Sequence, residues 1–427
     1  MPALNEKAVQ LTVATGLMFD CDMNTFSTWD RKNYFYPDMP KNFQISQFDH
    51  PLCVGGEIPI ESEVKGKAIR LTRIHLEEDV AKNTHHDRHS SIDFNRAGTP
   101  LMEIVTEPDM ESANEALAFL QALKQALAYG EISDCNLEEG NIRCDINCSV
   151  RPVGQSELGA KTEIKNMNTF KGVHRALSYE IRRQISERQK GRTIVQETRR
   201  WNEEDGMTHG MRSKEDAHEY RYFPEPDLVP VILSQTEIDR IRASLPELPQ
   251  HRRIRLVQEY GIPEYDAEVL ASDRAAADFF EAAAKVSRNY KSASNWVMTE
   301  ILRVLSENRI EIEHVKVTPE ALGKLIQLVD RGVINRPAAK TVFQGLLEEG
   351  GDPEAVVKAK GLAQVSDIES IEAIAQTAID ENPSSVEDYQ AGTKKALQHL
   401  VGQVMRLSKG KANPQIVMEI LRKKLDQ

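Results

Sequence analysis

The sequence predicts an α+β fold: a mixed-sheet domain, then an all-helical domain and a small helical tail. Three observations support it. Up to about Ile232, short strand-like runs alternate with loops and a few helices, the pattern of an α+β domain with an extended sheet. After Pro230 helical periodicity takes over, punctuated by Leu245-Pro246, Ile262-Pro263, Thr318-Pro319 and Arg336-Pro337, each a helix start because proline fits a first turn. A chain of 427 residues also exceeds one compact core and divides into two or three domains.

The elements follow in order. Ile58 to Val64 and Ala68 to Leu76 read as a strand pair around the turn-forming Lys65-Gly66. Glu111 to Tyr129 is a helix, with Ala116, Phe119, Leu120, Leu123 and Leu127 at helical spacing and Pro108-Asp109 before it. From Asn141 polar and apolar residues alternate with the period of a half-buried strand. Asn141, Arg143, Asp145, Asn147, Ser149 and Arg151 share one face, and Ile142, Cys144, Ile146, Cys148 and Val150 the other. Ala160 to Met167 is another strand, and Lys171 to Arg188 a basic amphipathic helix. The tail begins near Asp352 to Val357, breaks at Asn382-Pro383-Ser384-Ser385 and ends in a basic helix, Pro414 to Leu425.

Composition excludes some classes of function. With 28% charged and 40% hydrophobic residues, the chain has ordinary globular composition. No apolar run approaches the roughly 20 residues that span a bilayer, and MPALNEKAVQL resembles neither a secretory signal nor a transit peptide. A cytoplasmic location is expected. Five cysteines without CxxC spacing indicate neither a disulfide framework nor a zinc site, and Cys144 and Cys148 read as small core residues. The net charge of −12 argues against a protein that coats nucleic acid by bulk electrostatics. Locally the balance reverses: Gln390–Gln427 carries eight Lys and Arg against two acids, and Lys171–Arg200 nine against three. Such islands suit local contact with a polyanion, with a solvated helix face as the bland alternative.

Four segments carry candidate chemistry. RLTRIHLEEDVAK (Arg70–Lys82) places His75, Glu77, Glu78 and Asp79 at the end of an apolar strand, where carboxylates can hold Mg²⁺ beside phosphates; acidic runs after strands are more often solvated turns. The Asn141 strand follows the acidic pair Glu138-Glu139. Its Arg143 and Arg151 can engage phosphate or carboxylate, and Asp145 and Glu138 a metal; structural ion pairs across a sheet are the bland alternative. In TEIKNMN (Thr162–Asn168), Glu163 and Lys165 share a face. That lysine can neutralise a phosphoryl group, or form a plain cross-strand pair worth little. RKNYFYPDMPKNFQISQ (Arg31–Gln47) reads as a positioning loop, or as a packed aromatic one. Gly154 to Thr162 nearly spells a Walker A loop, but an extra Ala separates Gly159 from Lys161 and a strand follows where a helix is required.

Together, RKNYFYPDMPKNFQISQ, HLEEDVAK, FNRAGTPLMEIVTEPD, DCNLEEGNIRCDINCSVRP, EIKNMNTF, QETRRW, MRSKEDAHEYRYFPEPDL and VGQVMRLSKGKANPQIV closely resemble the B subunit of the tRNA-dependent amidotransferases, from Pro2 to Asp426. The resemblance implies a heterotrimer in which the two partners are the amidase (glutaminase) and a small third protein. The amidase releases ammonia from glutamine. The B subunit uses ATP and Mg²⁺ to phosphorylate the side-chain carboxylate of Glu-tRNA(Gln) or Asp-tRNA(Asn), and ammonia displaces the phosphate. The resemblance also implies a cradle-shaped catalytic domain (1–245), a helical domain (246–354) and a tail contacting tRNA (355–427). On the same basis Glu78, Asp145 and Glu163 are metal ligands, and Glu138 and Glu139 support them. Arg143, Arg151 and Lys165 face phosphate or carboxylate, and Lys32, with Glu78, lies along the ammonia passage. Lys394, Lys395, Arg406, Lys409 and Lys411 are the tRNA contacts.

The departure is at the front. Relatives usually begin with a further segment holding a strand G-x-E-x-H whose Glu and His complete the metal site, and Met1–Asn5 matches the end of that segment. A non-catalytic tRNA-binding scaffold is therefore the competing expectation. A stand-alone metal-dependent hydrolase is a second, which the basic tail disfavours. The sequence leaves open which tRNA is served and whether the source is bacterial or organellar.

Overall fold

A computed structural model describes residues 2–86, 88–211, 220–364, 368–408 and 411–426. The chain divides into two compact units, Met1–Leu248 and Pro249–Gln427. The first mixes strands and helices and the second is helical, as an α+β sequence requires.

In the first unit the long strand Ala68–Glu78 is the organising element. It pairs antiparallel with Pro100–Thr106 along one edge, and with Cys53–Val54 and Glu57–Pro59 along the other. Val105 lies opposite Arg73 but Thr106 lies opposite Leu71, so Thr72 is an extra residue in the ladder, a β-bulge. Before it Ile69 and Leu71 are buried, and after it Ile74 and Leu76. The bulge moves the core-facing positions from odd to even numbers. His75 and Glu77 consequently lie on the face opposite Ile74 and Leu76.

The segment expected as a positioning loop forms two antiparallel strands, Asp30–Asn33 and Phe43–Ser46, which Phe223–Pro224 extends to three. A four-stranded sheet follows in the order Ile146–Cys148, Thr162–Lys165, Glu197–Asn202, Met207–Gly210. Its two middle strands run parallel, joined by the basic helix Phe170–Gln189, which Thr169 caps at Gly172 N. Ser112 caps Ala113–Tyr129 in the same way, two residues inside the expected start.

The strand expected from Asn141 is corrected: only Ile146–Cys148 joins a ladder, against Thr162–Ile164. The expected alternation of exposure does persist, with Asn141, Arg143, Asp145 and Asn147 exposed and Ile142, Cys144 and Ile146 half-buried. Burial pushes the Cys144 and Cys148 thiols up to about 12, so neither is a nucleophile at neutral pH. In the Walker-like loop Gly154 takes a left-handed φ of +87°, and a Cβ on Gly159 would lie 2.5 Å from the Val150 carbonyl oxygen. Both glycines thus answer to the turn itself.

In the second unit, Thr318 and Asn335 cap Pro319–Asp330 and Arg336–Glu349, each with proline in the first turn. Leu245-Pro246 does not start a helix; the next one runs Pro249–Tyr260. Two separate apolar cores form here, one from Leu256 to Val357 and another from Ile371 to Leu425. Val357, on Pro353–Lys360, packs into the former. The last helix is Pro414–Leu425. Among the described residues no helix is long and apolar enough to cross a membrane.

Candidate functional site

The bulge aims His75 and Glu77 away from the apolar core, and strand register places Glu103 directly opposite His75. His75 Nε2 lies 3.3 Å from both Glu77 Oε1 and Glu103 Oε2. Among the described residues this is the one His, Cys or carboxylate group of three with all ligand atoms within 4.8 Å. His75 and Glu77 are almost fully buried, whereas Glu103 is about half exposed at the rim. Burial disfavours a charged imidazole, but hydrogen bonds to Glu103 and Glu77 outweigh it and hold the His75 pKa above its ordinary value. The hydrogen bond with His75 holds Glu103 well below the usual carboxylate range, while burial pushes Glu77 up against the pull of His75. His75 Nδ1 is buried without a hydrogen-bond partner among the described groups. Lys32 Nζ stands 3.7 Å from Glu77 Oε1 and 5.0 Å from the centre of the Tyr220 ring.

Glu78 points the other way. Its Oε1 accepts from Lys41 Nζ at 2.6 Å and from the Ile45 amide at 2.9 Å, so it pins the long strand to Phe43–Ser46. It lines a cavity of about 300 Å³ with Arg31, Lys41, Phe43, Glu225 and Asp227 among others, where Arg31 forks onto Glu225 at 2.7 and 3.1 Å. Lys32, expected with Glu78 along an ammonia passage, has its ion-pair contact with Glu77.

Asp145, Glu163 and Lys165 do come together. Lys165 Nζ sits 3.1 Å from Asp145 Oδ2 and 3.2 Å from Glu163 Oε1, and Glu163 Oε2 accepts from Thr198 Oγ1 at 2.8 Å across the parallel pair. Burial pulls the lysine pKa down, but the two carboxylates outweigh it and raise it. Asn166 ends the strand with a left-handed φ of 73°, and its amide donates to the Trp201 carbonyl. An ammonium therefore fills the space between Asp145 and Glu163, and Glu78 is engaged elsewhere. The metal set Glu78, Asp145 and Glu163 is not one cluster.

The remaining expected residues are dispersed. Arg143 Nη2 and Arg96 Nε meet the buried Asp79 at 2.9 and 3.0 Å, and Arg96 Nη1 donates to the Gly140 carbonyl. Asp79 thus ties the Glu138–Arg143 turn to the end of the long strand. Glu138 and Glu139 are exposed on that turn. Arg151 donates to the Ser156 carbonyl at 2.6 Å within its own loop. Lys395, Arg406 and Lys411 are exposed; Lys394 opens the helix Lys394–Leu407, and Lys409 lies outside the described residues. The sequence reading missed Glu103 as a site residue. Its signal was a carboxylate inside the apolar run Leu101–Val105.

Comparison with known proteins bears on this geometry. Residues 1–239 match the GatB/GatE catalytic domain and residues 278–425 the GatB domain. The chain is 51% identical to a protein of Thermoanaerobacter sp. (strain X514) over 428 residues, covering all of this chain and 90% of that one. Identity is 50% over 432 residues with a protein of Caldicellulosiruptor bescii, with the same coverage. It is 48% over 427 residues with one of Pelodictyon phaeoclathratiforme, again covering all of this chain and 90% of the relative. All three are named as the B subunit of an aspartyl/glutamyl-tRNA(Asn/Gln) amidotransferase. With both matches in chain order and about half of all residues shared, the chain belongs to the family of GatB amidotransferase subunits.

Proposed function

We propose that this chain activates the side-chain carboxylate of Glu-tRNA(Gln) or Asp-tRNA(Asn) with ATP and amidates it, within a heterotrimer whose glutaminase partner supplies ammonia. The observation that carries this reading is the group of buried His75 and Glu77 with half-exposed Glu103, facing Lys32, in a chain whose relatives are named for that tRNA-directed amidation.

Two carboxylates and an imidazole with their donor atoms within 4.8 Å form a donor set suited to a divalent cation, the carboxylates being the hard oxygens Mg²⁺ prefers. His75 Nε2 bridges both carboxylates with a proton in the place a cation could take. His75, Glu77 and Glu103 are therefore the residues that would hold Mg²⁺, in place of Glu78, Asp145 and Glu163. When bound, the ion would neutralise charge on the transferring phosphoryl group. Lys32 adds a cation on the same side. Lys165, held upright by Asp145 and Glu163, offers an ammonium for a phosphate or for the substrate carboxylate.

A carboxylate is a poor electrophile, so the order of bond changes follows. A substrate carboxylate oxygen attacks the γ-phosphorus, and the bond to ADP breaks. Ammonia then attacks the acyl carbon and phosphate leaves, taking the proton that nitrogen sheds. This sequence makes no demand for a protein nucleophile, in keeping with thiols held protonated by burial.

Co-expression with the two partner proteins, followed by assay of ATP- and glutamine-dependent conversion of Glu-tRNA(Gln), tests the reading. Glu77→Gln should lower conversion about a hundredfold or more while the complex still assembles, and the Mg²⁺ concentration for half-maximal conversion should rise. Unchanged conversion in Glu77→Gln refutes the site. A wild-type complex that binds tRNA yet converts none favours the scaffold reading instead.

A further inference from the structure

The helix Phe170–Gln189 buries Val173, Ala176, Leu177, Glu180 and Gln184 and leaves Lys171, Arg175, Arg182 and Arg188 exposed. With Lys190 and Arg192 just beyond, six exposed cations lie between 171 and 192, against one half-buried carboxylate, Glu187, and the fully buried Glu180. Lys171, Arg175 and Arg182 recur at steps of four and seven, one face of a helix. Lys171, His174 and Arg175 line a groove of about 480 Å³ with Leu117. Lys124, on the neighbouring helix, stands 5.9 Å from the Phe170 ring centre.

Fold stability does not ask for this arrangement. The first turn holds no acid, and Lys171 sits at the positive end of the helix dipole, where a cation is unfavourable. Arg175 meets Glu203, and Arg192 and Lys190 meet Glu187. Lys171 and Arg182 have no ion-pair partner among the described residues. A rule broken locally without structural gain marks a functional surface.

We infer that this helix face and its groove dock the phosphate backbone of tRNA, a contact separate from the basic tail. The inference rests on the tRNA-directed reading above. An acidic protein partner fits less well, because a protein interface needs an apolar or aromatic centre and the one large exposed hydrophobic on this helix is Ile185. From Lys171 to Arg182 the cations of this face extend over about 16 Å, long enough to meet two or three consecutive phosphates. Contacts of this kind position the duplex without reading its sequence.

Anisotropy of a fluorescently labelled, deacylated tRNA(Gln) transcript against the full chain, repeated across salt concentrations, is the test. Lys171→Glu combined with Arg182→Glu should weaken binding about tenfold near 0.15 M salt and lower the log–log salt slope by about 1.5. Lys171→Gln with Arg182→Gln should fall between. Both should melt at or above the wild-type temperature, since Lys171→Glu also corrects the dipole. Unchanged affinity and slope in the charge-reversed chain overturn the inference while leaving transamidation untouched. Intact tRNA binding with loss of the co-purifying partner proteins overturns it too, by making the face a protein interface. A wild-type chain that does not bind the transcript sinks both this inference and the tRNA-directed reading.

Discussion

Glu180 has no exposure to solvent, yet its carboxylate accepts from Arg183 at 2.9 and 2.6 Å, Gln184 at 2.9 Å and Thr208 at 2.9 Å. Burial, the largest influence, raises its pKa, but these partners together hold it below the ordinary carboxylate value. A group depressed in the folded state stabilises above its unfolded pKa, near 4.5, and loses that contribution as pH falls through the folded value. Glu180→Ala should cost about 3–5 kcal/mol at pH 7, because it removes the buried acceptor that Arg183, Gln184 and Thr208 share and leaves Arg183 only Glu197 at 3.5 Å. Glu180→Gln should cost less and flatten the loss of stability below about pH 4.5, as read by urea denaturation across pH. At this scale the sequence was legible for residue types and poor for pairing. HLEED announced carboxylates, but which of Glu77 and Glu78 joins His75 depends on which face each occupies. Glu103 enters only through strand register, far along the chain from His75.

The bulge at Thr72 makes the choice between those two carboxylates. Thr72 itself is exposed, with its hydroxyl on Glu107 at 2.8 Å, so Thr72→Val should leave fold and activity near wild type. Deleting Thr72 keeps every other side chain but turns Ile74 and Leu76 toward the site and His75 and Glu77 toward the core. Moving those two polar groups away from Glu103 and Lys32 into apolar surroundings should cost several kcal/mol, so the deletion should yield insoluble or unfolded protein; soluble, active protein would show that the bulge does not set the face. Its trace in the sequence is the three-residue step from Leu71 to Ile74 in an otherwise two-residue rhythm. The opposite lesson holds at Asn141. Alternation there correctly foretold which side chains are exposed, but a strand also needs a partner, and Thr162–Lys165 supplies only three paired residues. The basic helix and the last helix were legible because long 3.6-residue periodicity depends on few distant contacts.

Among the described residues the buried apolar side chains gather into three separate clusters, ending near Ile238, Val357 and Leu425. Unfolding should accordingly depart from a two-state transition, and calorimetry should resolve more than one heat-absorption peak. Truncation after Gln364 should remove one of them and leave the rest within a few degrees; a single peak lost as a whole would show that the cores melt as one. Charge is divided as unevenly as the cores. The protein carries a formal −12, yet one helix and the turn after it gather six exposed cations between Lys171 and Arg192. In bulk such a molecule migrates as an acid and binds an anion exchanger. To an approaching polyanion it is repulsive from most directions and attractive from few, so misoriented encounters are turned away before any atoms touch. Acidity elsewhere on the surface then works as a filter on orientation, and removing it would speed first contact with RNA while making more of those contacts unproductive.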